Sequence, residues 1–146
     1  MTISGIEDVF VSNKDLPWKR LRDGYDFKLL RTCSATGTWA ALFRTVAGGS
    51  VPSHKHISSA EYFVLKGKIE VRGGKDNGGV TAVAGDYGYE PNGIIHDKTF
   101  FPEPTEYLFI SHGPIQYLDE DGNTAGIIDW MGIKDKWDSA ETIDPE

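Results

Sequence analysis

A chain of 146 residues with 22 acidic and 15 basic side chains carries a net charge of −7. It lacks the basic balance that nucleic acid or an anionic membrane surface demands, so neither is an expected partner. The length suits one domain over residues 1–146, and 17 glycines and seven prolines imply many turns and an all-β fold.

Residues 1–35 read as an N-terminal segment in which Pro17 stops any helix and Trp18, Leu21, Tyr25 and Phe27 supply apolar anchors. Met1 to Gly5 contains no basic stretch leading into an apolar run, and no segment approaches the roughly 18 apolar residues of a membrane span. The expected location is therefore the cytoplasm. Cys33, the single cysteine, has no disulfide partner and reads as a small buried residue. Thr38–Val46 is rich in aromatic and β-branched residues and predicts a strand, ended by the turn Ala47–Ser50. Val51–His56 reads as a strand bearing two histidines. Tyr62–Leu65 and Ile69–Arg72 are strands joined at Lys66-Gly67-Lys68. Gly73–Gly79 is a loop on composition, Val80–Val83 a short strand, and Gly85–Gly93 a loop that delivers His96. Phe100–Pro104 reads as a turn before the strong strand Glu106–Ser111. Ile115–Leu118 then runs into the hairpin-type turn Asp119–Asn123, a solvated acidic run without the spacing of a calcium loop. Residues 130–146 are expected to form a peripheral tail or a short docked helix. The metal-site core of the domain is expected at about residues 38–118.

The chemistry concentrates in two frames. His54-Lys55-His56 places two imidazoles at i and i+2, which share one face of a strand. The same spacing on a helix would turn them about 200° apart. His96 ends the second frame, Gly85 to His96. Only four histidines occur in the chain, so three of them fall in these frames. A metal site at His54, His56 and His96 is the expected reading. His112 lies outside both frames and reads as a structural histidine.

These frames resemble the two signature motifs of the cupins, small β-barrels of the jelly-roll type. Gly48, His54, His56 and Gly67 fit the first motif; Gly85, Pro91, Gly93 and His96 fit the second at every spacing. The resemblance implies a single-domain jelly roll with short N- and C-terminal extensions. Most metal cupins use a glutamate of the first motif as a further ligand. Here that slot holds Ala60, which cannot ligate, and strand alternation turns the adjacent Glu61 to the opposite face unless a bulge intervenes. A three-histidine site is expected.

Within the cupins, the segment is similar to the acetylacetone dioxygenases, which cleave β-diketones at a three-histidine iron. That likeness implies further roles. Glu90 would orient His96 through its other ring nitrogen, and Arg72 would hold substrate charge or Glu90. Tyr62 and Thr99 would touch substrate. Tyr107, together with Val51 and Ser111, stands where the acetylacetone enzyme has aromatic wall positions. The implied reaction uses a divalent metal, most simply Fe(II), to hold a diketone enolate while O2 breaks a C–C bond, leaving a carboxylate and an α-oxo-aldehyde. Zinc or nickel would also fit imidazole ligands. Two other readings stay open at this point: a zinc-binding cupin sensor like the cupin domains of anti-sigma factors, and a non-redox metal enzyme. Association as a homodimer or homotetramer is expected from the habit of the cupins and from the aromatic N-terminal segment.

Overall fold

Alternating burial along the strands builds this molecule, and it does so over more of the chain than the sequence suggested. The computed structural model describes residues 7–97 and 99–143; the outer ends of the expected N-terminal segment and C-terminal tail lie outside the described residues. In chain order the strands are β1 (Trp18–Arg22), β2 (Tyr25–Thr32), β3 (Trp39–Thr45), β4 (Gly49–Val51), β5 (His54–His56), β6 (Ala60–Lys66), β7 (Lys68–Val71) and β8 (Val80–Val83). They continue as β9 (Tyr87–Glu90), β10 (Ile95–His96), β11 (Thr99–Phe101), β12 (Thr105–Ser111), β13 (Ile115–Leu118), β14 (Thr124–Ile128) and β15 (Thr142–Ile143). One helix, α1 (Trp130–Ser139), separates the last two strands.

The largest sheet runs β15-β1-β2-β3-β12-β6-β9, and two four-stranded sheets run β10-β5-β13-β14 and β4-β11-β7-β8. In β3 and β12 every second residue is buried, the signature of a sheet with one face on a core. All three sheets feed one core: Phe27, Trp39 and Phe43 from the large sheet, Ile115 from the second, Ile69, Val71 and Phe101 from the third. The expected all-β jelly roll is what forms, with α1 docked against it. Asp129 caps the helix by accepting from the Gly132 N–H, and Trp137 sets its ring edge-on to Phe27 at 5.3 Å.

The N-terminal anchors pack on the domain itself: β2 pairs with β3 along its length, and Phe27 and Leu29 are fully buried. Two expectations need correction. The expected strand Val51–His56 is two strands in different sheets, because Pro52 has no N–H for the ladder. The supposed loop Gly85–Gly93 contains β9, which pairs with β6 and brings Glu90 opposite Ala60. At the C-terminus α1 is followed by an edge strand on β1. Among the described residues no helix is long and apolar enough to cross a membrane.

Gly67 turns β6 into β7 at φ +90°, and a Cβ there would collide with the Pro104 carbonyl and Thr105. Gly37 has a similar φ of +78° with open space around it. Gly67→Ala should therefore cost about 3 kcal/mol or more and Gly37→Ala about 1 kcal/mol, as read from denaturant unfolding midpoints.

Candidate metal centre

Antiparallel pairing of β5 with β10 sets His96 directly across from His54. His56 lies two residues along β5 on the same face, so all three imidazoles converge. Their ring centroids are 5.0, 5.4 and 5.4 Å apart, and one ligand nitrogen from each lies within 4.8 Å of the others. All three residues are buried. His54 Nδ1 lies 2.8 Å from the Pro52 carbonyl, which can only accept; the proton is therefore on Nδ1 and the Nε2 lone pair is free. Burial, reinforced by His56 and His96 against the Pro52 bond, pulls the His54 pKa down to about 4. His54 is thus neutral at ordinary pH. His56 Nδ1 is buried without a hydrogen-bond partner among the described residues. A buried nitrogen without a partner among three converging imidazoles fits a divalent metal ion, whose bond would satisfy it.

Glu90 touches two of the three rings. Its Oε2 lies 2.6 Å from His96 Nδ1 and its Oε1 lies 3.3 Å from His56 Nε2. Burial opposes its ionisation, but the contacts with His56 and His96 outweigh that and hold the carboxyl at about 2. Ala60 faces Glu90 across the ladder and is fully buried. A glutamate in the usual cupin slot would stand opposite this carboxylate as a like charge. Glu61 points away, as expected: its carboxylate accepts from the Tyr87 hydroxyl at 2.6 Å and pairs with His112 Nε2 at 2.7 Å. His112 therefore has a partner on the outer face and takes no part in the cluster.

A cavity of about 340 Å³ opens beside His54 and Glu90. That lies within the usual range for small-molecule sites, roughly 300–1,000 Å³. Its wall is mostly apolar and aromatic, with Trp39, Phe43, Phe101 and Phe109. Tyr62, Thr99, Tyr107 and Val51 all line it. Thr99 Oγ1 is buried and has no hydrogen-bond partner among the described residues. Burial, with Glu90 and Asp86 adding, raises the Tyr62 hydroxyl to about 12, so it stays a neutral donor. Gly88 leaves the space that the Tyr62 ring fills.

Two expected residues are placed elsewhere. Arg72 is exposed, in the turn after β7 at φ +54°, and is not part of the cavity wall. The positive φ ends the strand's alternation there, so the spacing from the histidines does not carry over into direction. Ser111 is buried but bonds the Gly113 carbonyl at 2.7 Å instead of lining the cavity. Conversely, Arg22, Tyr25, Tyr117 and Lys136 do line it and were not anticipated. The Asp23-Gly24 turn joining β1 to β2 is a hairpin signal that points to the first two.

Three histidines on paired strands beside a cavity in a jelly roll are the build of a metal-binding cupin. The comparison with known families agrees: residues 6–116 match the ChrR Cupin-like domain, and the chain belongs to that family. Among curated proteins it is 40% identical over 114 residues to the acetylacetone-cleaving enzyme of Acinetobacter johnsonii, covering 78% of this chain and 74% of the relative. The crystal structure of the Acinetobacter johnsonii acetylacetone dioxygenase superposes with a TM-score of 0.85 at 34% identity, over 97% of each chain. A structure from Methylibium petroleiphilum PM1, described as a candidate acetylacetone dioxygenase, superposes with a TM-score of 0.88 at 37% identity, covering 94% of this chain and 99% of its own.

Protein stripped of metal should bind one divalent ion per chain by calorimetric titration, and His96→Ala should abolish that binding. Glu90→Gln should weaken it about 10–100-fold, because the carboxylate orients an imidazole.

Proposed function

We propose that this chain is a metal-dependent dioxygenase that cleaves a C–C bond of a β-diketone or a related ketone, with His54, His56 and His96 holding a divalent metal, most simply Fe(II). The observation that carries the reading is a three-histidine cluster with alanine in the carboxylate slot, in a chain 40% identical to an acetylacetone-cleaving enzyme. When bound, iron would supply chelation of the two substrate oxygens and the electron transfer that lets O2 react with a closed-shell molecule.

The chain's own residues supply geometry, charge and dryness. Three neutral imidazoles bring no negative charge to the ion, which favours an anionic ligand such as an enolate. Glu90 fixes the orientation of His96 through Nδ1 and leaves Nε2 for ligation. Thr99, whose hydroxyl has no partner among the described residues, donates to a substrate oxygen. Tyr62 stays protonated beside Glu90 and offers a second donor. The aromatic wall excludes water, which strengthens each of these contacts and keeps the reactive species from hydrolysis. Held at the wall, the diketone gains the usual advantage of proximity to the oxygen chemistry.

Protein loaded with Fe(II) under anaerobic conditions should consume one O2 per acetylacetone once air is admitted, followed with an oxygen electrode. Thr99→Val should lower kcat/KM about tenfold, the loss expected for one substrate hydrogen bond. No uptake across alkyl and aryl diketones and dihydroxyacetophenones would overturn the dioxygenase reading. Tight zinc retention without oxygen chemistry would favour a sensor, and turnover in the absence of O2 a non-redox enzyme.

A further inference from the structure

We propose that the preferred substrate is a β-diketone bearing a carboxylate a few bonds from its dicarbonyl group, and that Arg22 binds this carboxylate. The proposal deepens the dioxygenase reading and rests on it for the diketone end.

The cavity wall carries His54 and Glu90 and also two cations, Arg22 on β1 and Lys136 on α1. Neither has a carboxylate partner among the described residues. Among the described residues Glu90 is the sole carboxylate on the cavity wall, and it is taken up by His56 and His96. Arg22 is held in place without being neutralised. Its Nη2 donates to the Ser50 carbonyl at 3.0 Å, and its guanidinium lies 4.2 Å over the Tyr25 ring. It is half-buried, so its charge is partly shielded from water. A fixed guanidinium with unused N–H groups is suited to a planar, bidentate carboxylate.

The distance to the metal site is set by one side chain. Tyr117 lies directly across from His54 in the β5–β13 ladder, with ring centroids 6.1 Å apart, and burial raises its hydroxyl while the nearby Arg22 charge works against that. Arg22 therefore sits one tyrosine away from a metal-binding histidine, a span that a short carboxylate tail would cover. Between them the bonded hydroxyls of Tyr25 and Tyr107 put a polar pair into an otherwise aromatic wall. Burial pushes both above the ordinary tyrosine range, so the pair remains uncharged and adds no anion to repel a carboxylate. A neutral alkyl or aryl diketone would leave Arg22 unmatched beside an apolar wall.

The test compares succinylacetone, a β-diketone with a carboxylate two methylenes away, with its methyl ester. The Fe(II)-loaded wild type should favour the acid over the ester at least about tenfold in kcat/KM, the gain expected from one charge-assisted contact. Arg22→Gln should bring that ratio close to one, and Arg22→Lys should keep part of it. Calorimetric binding of the acid to metal-free protein should weaken about tenfold or more in Arg22→Gln, by the same loss. Equal handling of acid and ester by the wild type, which needs no variant to fold, would overturn the proposal. So would an acid preference that Arg22→Gln leaves unchanged. Acetylacetone turnover without acid preference sinks this inference alone. Acid binding that depends on Arg22, with no O2 uptake for any diketone, upholds Arg22 and sinks the dioxygenase reading.

Discussion

The site depends on the register of one short ladder. β5 and β10 share just two cross-strand pairs, and one of them is His54 with His96. A slip of one residue would put Ile95 on the metal face and turn His96 outward. The register is pinned from outside the ladder. The Gly93 N–H donates to the His56 carbonyl at 2.7 Å, the His56 N–H donates to the Ile94 carbonyl at 3.1 Å, and β13 pairs with the other edge of β5. Pro52 starts this strand afresh after β4, and its carbonyl fixes the His54 tautomer. The same few residues thus set the direction, spacing and protonation of the ligands.

A second constraint comes from the large sheet. β6 and β9 bring positions 60 and 90 face to face at the cavity, where there is room for one carboxylate without like-charge repulsion. In this chain it belongs to Glu90. Placed there, it reaches the edges of two imidazoles, so the negative charge can act on ligand orientation. The cupin glutamate has in effect been moved one rung sideways across a ladder, which changes what it can do.

Much of this was legible in the sequence, and the misses have physical causes. The histidine frames, the empty glutamate slot and the turn glycines depend on local spacing, which a strand preserves. Glu61 pointing outward followed from alternation alone. Arg72 was misplaced because a positive φ breaks that alternation just where the strand ends. β9 was hidden by its glycines and prolines, whose turn chemistry surrounds a four-residue strand. Arg22, Tyr25, Tyr117 and Lys136 were invisible as a group because they come together only through tertiary packing. Residues as far apart as β1 and α1 meet at one cavity, and no local pattern carries that meeting.

The family match ends at residue 116, yet Tyr117, Ile128, Ile133 and Lys136 all contribute to the cavity wall. The metal ligands lie wholly inside the shared segment. The C-terminal segment is thus a cover over the cavity, and the superposition on the Acinetobacter johnsonii structure, over 97% of this chain, takes most of it in. That cover is fastened independently: α1 rests on β2, and β15 closes the edge beside β1, the strand that carries Arg22. Substitutions at Ile133 and Lys136 on α1 would therefore reshape the cavity wall without touching the β5–β10 ladder that holds His54 and His96.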